Sequence, residues 1–197
     1  MPALPISTDP LLPPSFFGLG RDRLAGLLAD SGIEAYRSKQ LFSWVYQRRE
    51  LNPGRMTDLP AGLRRDLDRI VRLDLPAPAE LHASPDRATH KFVLELADGE
   101  RVECVSMRTA RRLTLCLSSQ VGCALKCSFC ATGLMGLRRN LAAEEIVAQV
   151  LVMGDFHGWE DDRFNLVFMG MGEPLANYAP VMEAIRILHD PLGMNLG

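Results

Sequence analysis

The spacing of apolar residues changes period along the chain, and the change divides it. From Arg21, Leu24, Leu27, Leu28 and then Ile33 recur at intervals of about one helical turn, predicting a helix that ends near Ser31-Gly32. A second helix is predicted from about residue 35 to 49, with Leu41, Phe42, Val45 and Tyr46 on one face. Asn52-Pro53-Gly54 reads as a turn, and Thr57-Asp58-Leu59-Pro60 opens a third helix whose stripe is Leu63, Leu67, Ile70 and Val71. Residues 15–74 therefore read as a small helical bundle. The aromatics Phe16, Phe17, Trp44 and Tyr46 can stack on RNA, but their helical spacing favours a core. Ahead of them, prolines at positions 2, 5, 10, 13 and 14 make residues 1–14 an expected disordered lead-in.

The next stretch, residues 75–90, is rich in Pro and Ala and reads as a linker. Period two then takes over. Lys91 to Leu96 alternates as a strand, Ala97-Asp98-Gly99-Glu100 is a hairpin turn, and Arg101 to Met107 pairs back, so that 75–112 is linker plus β-hairpin. A strand over 111–119 follows. Leu141-Ala142-Ala143-Glu144-Glu145 starts a helix with acidic residues in its first turn and a stripe of Ile146, Val147, Val150 and Leu151. Asn165 to Met169 is a continuous apolar run, as expected of a strand buried on both faces, and 179–189 is another helix. Strand, helix, strand, helix predicts parallel βα units over 113–197 and an α/β class. Ligands in such sheets gather at the C-terminal ends of the strands. Two loops leave those ends, one carrying cysteines and one reading Gly170-Met171-Gly172-Glu173-Pro174.

Composition narrows the class. With 197 residues and 47% hydrophobic content there is material for one or two cores, and no run approaches the length of a membrane span. The N-terminus lacks a signal peptide's basic start and apolar centre, so a cytoplasmic location is expected. Net charge is −2, which gives no global pull toward nucleic acid. Positive charge is mostly arginine, including Arg48-Arg49, Arg64-Arg65, Arg111-Arg112 and Arg138-Arg139. Such forks suit phosphate, yet scattered pairs more often mark solvated faces.

The chemistry concentrates in Cys116-Leu117-Ser118-Ser119-Gln120-Val121-Gly122-Cys123-Ala124-Leu125-Lys126-Cys127-Ser128-Phe129-Cys130. Five closely spaced cysteines in a reducing compartment argue for metal or catalysis over disulfides. Cys123, Cys127 and Cys130 form C-x-x-x-C-x-x-C, and three thiolates suit an iron–sulfur cube with one iron left open to a substrate or cofactor. If Cys116 joins as a fourth ligand, a closed zinc site is the alternative. Gly-x-Gly-Glu-Pro alone is an ordinary βα turn. About forty residues beyond the cysteines, at the next strand end, it becomes a partner site: glycine admits a close backbone approach, and a carboxylate accepts from an ammonium.

These motifs, with Arg139-Asn140-Leu141 and Met169 to Pro174, resemble the radical S-adenosylmethionine (SAM) dual-specificity RNA methyltransferases, the RlmN/Cfr group, from about Phe16 onward. The resemblance implies a helical accessory domain before a partial radical SAM (βα) barrel. It implies a 4Fe-4S cluster on Cys123, Cys127 and Cys130, and SAM held by Gly172 and Glu173. Reduction of SAM would yield a 5′-deoxyadenosyl radical, and the reaction would methylate carbon 2 of adenosine in 23S ribosomal RNA and in transfer RNA. Polar transfer of a methyl group to that electron-poor carbon is mismatched, so the family carries the methyl on a cysteine near its C-terminus. By resemblance Glu103 is the proton acceptor and Cys116 the resolving thiol, against plain readings as a solvent-facing strand residue and a buried strand thiol. Cys104 matches no family role and is expected in the core. A flavodoxin-type electron donor and a monomer are also implied. No cysteine follows Cys130, so the methyl carrier is missing from these residues. A fragment of a longer protein, inactive alone, is the expectation. A metal-stapled RNA-binding module without catalysis and a different radical SAM enzyme are the alternatives.

Overall fold

The computed structural model describes residues 12–110, 112–159 and 164–196, and the described residues group into two compact units, 75–181 and 12–74 with 182–196. Most of the expected lead-in lies outside the described residues. Its last two prolines are tied down: the Pro14 carbonyl accepts from the Arg72 amide at 3.0 Å and the Pro13 carbonyl from Arg72 Nε at 2.8 Å.

In the helical unit, α1 (Arg21–Asp30) buries Leu24 and Leu28. It stops where Gly32, at φ +74°, lets the Gly32 and Ile33 amides fold back onto the Ala29 and Leu28 carbonyls. Ile33 thus lies past the helix rather than in it. The second predicted helix is α2 (Arg37–Phe42) running into a wider π-turn over Ser43–Gln47. The third is α3 (Ala61–Asp66), tightening to a 3₁₀ turn at Leu67–Arg69. Phe16, Phe17, Phe42 and Tyr46 are fully buried, whereas Trp44 is only half-buried and bonds Asp58 through its indole N–H. Residues from Met182 onward group with this unit, and Arg21 pairs with Asp190 at 3.5 Å.

The other unit is built on a five-stranded mixed sheet. An antiparallel meander, β1 (Pro78–Ala83), β2 (Thr89–Glu95), β3 (Arg101–Thr109) and β4 (Arg112–Cys116), is followed in space by β7 (Phe164–Val167), which runs parallel to β4. The linker expectation for 75–90 is overturned by β1. Every residue of β1 is exposed, so it has no buried stripe to betray it, and its order comes from pairing with β2. The expectation that β7 is buried on both faces also fails. It has one neighbour among the described strands, and its residues are half-buried or exposed. A second sheet pairs the short strands β5 (Gln120–Gly122) and β6 (Leu137–Asn140), with α4 (Ala131–Met135) in the loop between them. None of these three was read from the sequence.

Helix α5 (Ala143–Phe156) covers one face of the large sheet and is buried from Glu145 to Gly154. Phe156 meets Phe92 edge-on at 5.2 Å, and His157 Nε2 lies 2.8 Å from Ser106 Oγ. Helix α6 (Tyr178–His189) buries Val181, Ala184, Ile187 and Leu188 at helical spacing.

Candidate functional site

Two loops leave the C-terminal ends of β4 and β7, whose parallel register pairs Leu115 with Leu166 and Cys116 with Val167. The first carries the three cysteines and stands on β5 and β6 as two legs. Its close turns are set by backbone space: a Cβ on Gly122, at φ +75°, would overlap the Gly136 carbonyl oxygen. All five cysteines are free. Cys123 is buried, while Cys127 and Cys130 are half-buried. The Gly133 and Thr132 backbone N–H groups hold the Cys130 thiol below its ordinary value, which favours the thiolate that ligates metal. Next to it Phe129 is 91% exposed, and Leu134 and Met135 are exposed too. Among the described residues, no three His, Cys, Asp or Glu side chains converge closely enough to hold a metal ion. The donor set fits an iron–sulfur cluster by chemistry: three free thiols share one loop, and one of them is biased toward thiolate.

In the second loop, Gly172 adopts φ +95°, and a Cβ there would come within 2.5 Å of the Gln120 side chain. A Cβ on Gly170 would lie 2.6 Å from Ser118 Oγ. Both glycines are therefore demanded by the chain's own packing. The Glu173 carboxylate accepts from the Leu175 amide at 3.1 Å and opens the 3₁₀ turn Pro174–Asn177.

Glu103 and Cys116 share a sheet face. Val105 stands opposite Cys116, and Glu103 is two residues from Val105, hence on the same side of the pleat. Glu103 is half exposed and pairs with Lys91 at 2.9 Å across β2 and β3. Cys116 is buried, and desolvation pushes its thiol up against an opposing hydrogen bond from the Met169 backbone. Cys104 lies on the opposite, core face at 1% exposure, where burial raises its thiol far above the ordinary range.

The segment that joins the two loops is Ser118-Ser119-Gln120, buried throughout, to which the sequence reading assigned no role. Ser118 exchanges two hydrogen bonds with the Gln149 carboxamide of α5, at 2.8 and 3.0 Å. Its hydroxyl donates to the Glu103 carbonyl at 2.5 Å and accepts from the Met171 amide at 2.7 Å. The Asn177 carboxamide donates to the carbonyls of Ser119 and Leu141, at 2.7 and 2.8 Å, pinning both legs of the cysteine loop at their base. Gln120 bonds Asn140 and the Glu173 amide. Three polar residues in a row after an apolar strand were the available signal, since a buried polar run needs dedicated partners.

The Arg138-Arg139 pair is engaged within the chain. Arg139 forks onto Glu145 with two 2.8 Å bonds and reaches Asp98, while Arg138 pairs with Glu100. Glu145 also accepts from the Ala142 amide at the start of α5. Among the described residues, no helix is long and apolar enough to cross a membrane.

Residues 15–73 match the family described as ribosomal RNA large subunit methyltransferase N-terminal domain. A probable dual-specificity RNA methyltransferase RlmN of Dictyoglomus thermophilum is 44% identical over 89% of this chain and 50% of its own length. The dual-specificity RNA methyltransferase RlmN of Bdellovibrio bacteriovorus is 39% identical over 98% of this chain and 48% of its own. The crystal structure of a radical SAM methyltransferase from Sphaerobacter thermophilus superposes with a TM-score of 0.85 at 42% identity, covering 94% of this chain and 55% of that one. The chain spans about half the length of the curated relatives it matches. Over that span, the chain is similar in sequence to the dual-specificity RNA methyltransferases RlmN and in sequence and fold to a radical SAM methyltransferase.

Proposed function

We propose that the chain forms part of a radical SAM methyltransferase acting on carbon 2 of adenosine in 23S ribosomal RNA and transfer RNA; the relatives' names support RNA methylation, and the motif resemblance implies the position and the two RNAs. The observation that carries this reading is the bonded pair of loops. The cysteine loop and the Gly172-Glu173-Pro174 loop leave adjacent parallel strand ends and are bridged through Ser118-Ser119-Gln120.

In this reading Cys123, Cys127 and Cys130 hold a 4Fe-4S cluster, and Gly172 and Glu173 bind the methionyl end of SAM. When bound, the cluster and SAM supply one-electron radical chemistry, an external flavodoxin-type protein being the electron source. The residues of the chain do the rest. The free oxygen of the Glu173 carboxylate accepts from an ammonium, and its other oxygen stays on the Leu175 amide. Glu103 takes the proton from the ring carbon, with Lys91 holding its carboxylate in place. Cys116, on the same face, would be the resolving thiol. Deprotonated by a base, its sulfur would form a disulfide with the sulfur of a carrier cysteine outside these residues, as that sulfur's bond to the carbon added to the RNA ring breaks and the electron pair leaves with the carbon. Burial raises its thiol until then. Residues 15–74 serve as the accessory domain and 113–197 as the radical SAM core. The protein works in the cytoplasm as a monomer.

Anaerobic reconstitution with iron and sulfide tests the assignment. A brown protein whose spectrum changes on adding SAM is expected. Iron should be lost in Cys123→Ala, Cys127→Ala and Cys130→Ala, and retained in Cys116→Ala. A colourless protein holding one zinc, with Cys116→Ala as damaging as the other three, would overturn the reading in favour of a metal-stapled binding module.

A further inference from the structure

Gln120 is the first residue of β5, yet its side chain is committed to two other elements. It is 1% exposed. Its Nε2 donates to Asn140 Oδ1 at 2.7 Å, at the end of β6 and thus on the second leg of the cysteine loop. Its Oε1 accepts from the Glu173 amide at 2.9 Å. Its Cβ and Cγ fill the space that a side chain at position 172 would need. Its own amide donates to the Met171 carbonyl at 3.2 Å. One carboxamide therefore touches the two legs of one loop and the carboxylate-bearing residue of the other.

We propose that Gln120 is a positioning residue: its buried carboxamide sets the placement of Glu173 relative to the cysteine loop. The inference rests on the reading above, in which those loops hold two halves of one reacting pair. No other side chain meets all three demands. Leu or Met fills the volume but neither donates nor accepts. Glu keeps the acceptor for the Glu173 amide and loses the donor for Asn140. Asn is one methylene short. Asn177 does a different task, closing the base of the cysteine loop through the Ser119 and Leu141 carbonyls without touching Glu173. Two hydrogen bonds from one amide fix direction as well as distance, and a near-ångström displacement of a binding carboxylate matters far more to a bound ligand than to the fold.

The test uses the full chain with Asn140→Ala, Gln120→Met, Gln120→Glu and Glu173→Ala. Asn140 is exposed, so its removal frees one end of the carboxamide without opening the core. Without cofactors, hydrogen exchange at the Glu173 amide should speed up about tenfold in Asn140→Ala and more in Gln120→Met, while amides of β2 and β3 stay unchanged. Gln120→Glu should resemble Asn140→Ala and keep more protection than Gln120→Met, because its carboxylate still accepts from that amide although the bond to Asn140 is lost. After iron loading, Asn140→Ala and Gln120→Met should each weaken SAM affinity about tenfold with iron content unaltered. In the Glu173→Ala background neither should weaken it further, since the position being set no longer carries a carboxylate.

Unchanged exchange at Glu173 in Gln120→Met, or losses of SAM affinity that add to that of Glu173→Ala, would overturn the positioning role while leaving the cofactor assignment intact. If Glu173→Ala binds SAM as well as the unsubstituted chain, or the unsubstituted chain binds none, the cofactor reading itself fails and the role proposed for Gln120 fails with it.

Discussion

The aromatic core of the helical unit and the polar seat beneath the two loops are both fully buried, and they hold their surroundings by opposite means. Phe16, Phe42 and Tyr46 meet pairwise with ring centroids 5.1 to 5.6 Å apart at tilted angles, a contact set by area and shape. Tyr46 hides even its hydroxyl without a protein partner, and burial, with Asp190 nearby, drives its phenol far above the ordinary range. The seat is made of Ser118, Ser119, Gln120, Gln149 and Asn177; it too leaves the Ser119 hydroxyl and the Asn177 carboxamide oxygen without a protein partner, but its remaining side-chain contacts are mostly directed hydrogen bonds to backbone atoms. Apolar packing stabilises over a range of small displacements. A hydrogen-bonded seat permits one placement and is costly when a partner is missing. That suits a region whose task is to hold two loops in register.

The comparison is broken most severely at the rings. Phe42→Ala should lower stability by about 3–5 kcal/mol through lost transfer energy and the cavity left behind, measured as a fall in urea midpoint. At the seat, Gln149→Leu conserves volume but strands the Ser118 amide and carbonyl, and should cost about 2–3 kcal/mol despite the more apolar side chain. A stabilising result for this substitution would mean that the seat is ordinary core. Gly172→Ala should follow at about 2 kcal/mol, since it combines a left-handed backbone with a close approach to Gln120. Its signature should include weaker SAM binding, which loss of an aromatic ring would not reproduce.

The smallest effect is electrostatic and comes from the rim. The Arg139 side chain, bonded to Asp98, holds that carboxyl below its ordinary value. A group depressed in the folded state contributes stability above its unfolded value and loses it as pH falls. The pair is part exposed, so its contribution should be below about 1 kcal/mol. Stability of the unsubstituted chain should therefore decline more steeply than that of Asp98→Asn as pH falls below about 4, and the two curves should run parallel above about 5.

Much of the chain was legible from periodicity. Where a helix buries one stripe, as α1 does with Leu24 and Leu28, the stripe and its spacing appear in the sequence and mark the element. The cysteine spacing and the Gly-Glu-Pro loop stood out in the sequence as candidates by residue type, and the structure carries them on loops that leave the ends of β4 and β7. β1 was not legible, because none of its residues is buried and its order is supplied by β2. The exposure of β7 was not, because an apolar run reports composition and cannot say how many neighbours a strand has. Nor was the seat: Ser118, Ser119 and Gln120 are unremarkable polar letters until β3, α5, β6 and the Gly-Glu-Pro loop arrive with matching donors and acceptors. Local sequence marked the elements with a buried stripe or a clear alternation and set out the candidate residue types. Tertiary structure alone decided their pairing and register, because a hydrogen bond between residues fifty positions apart exists only once both ends have been brought within 3 Å.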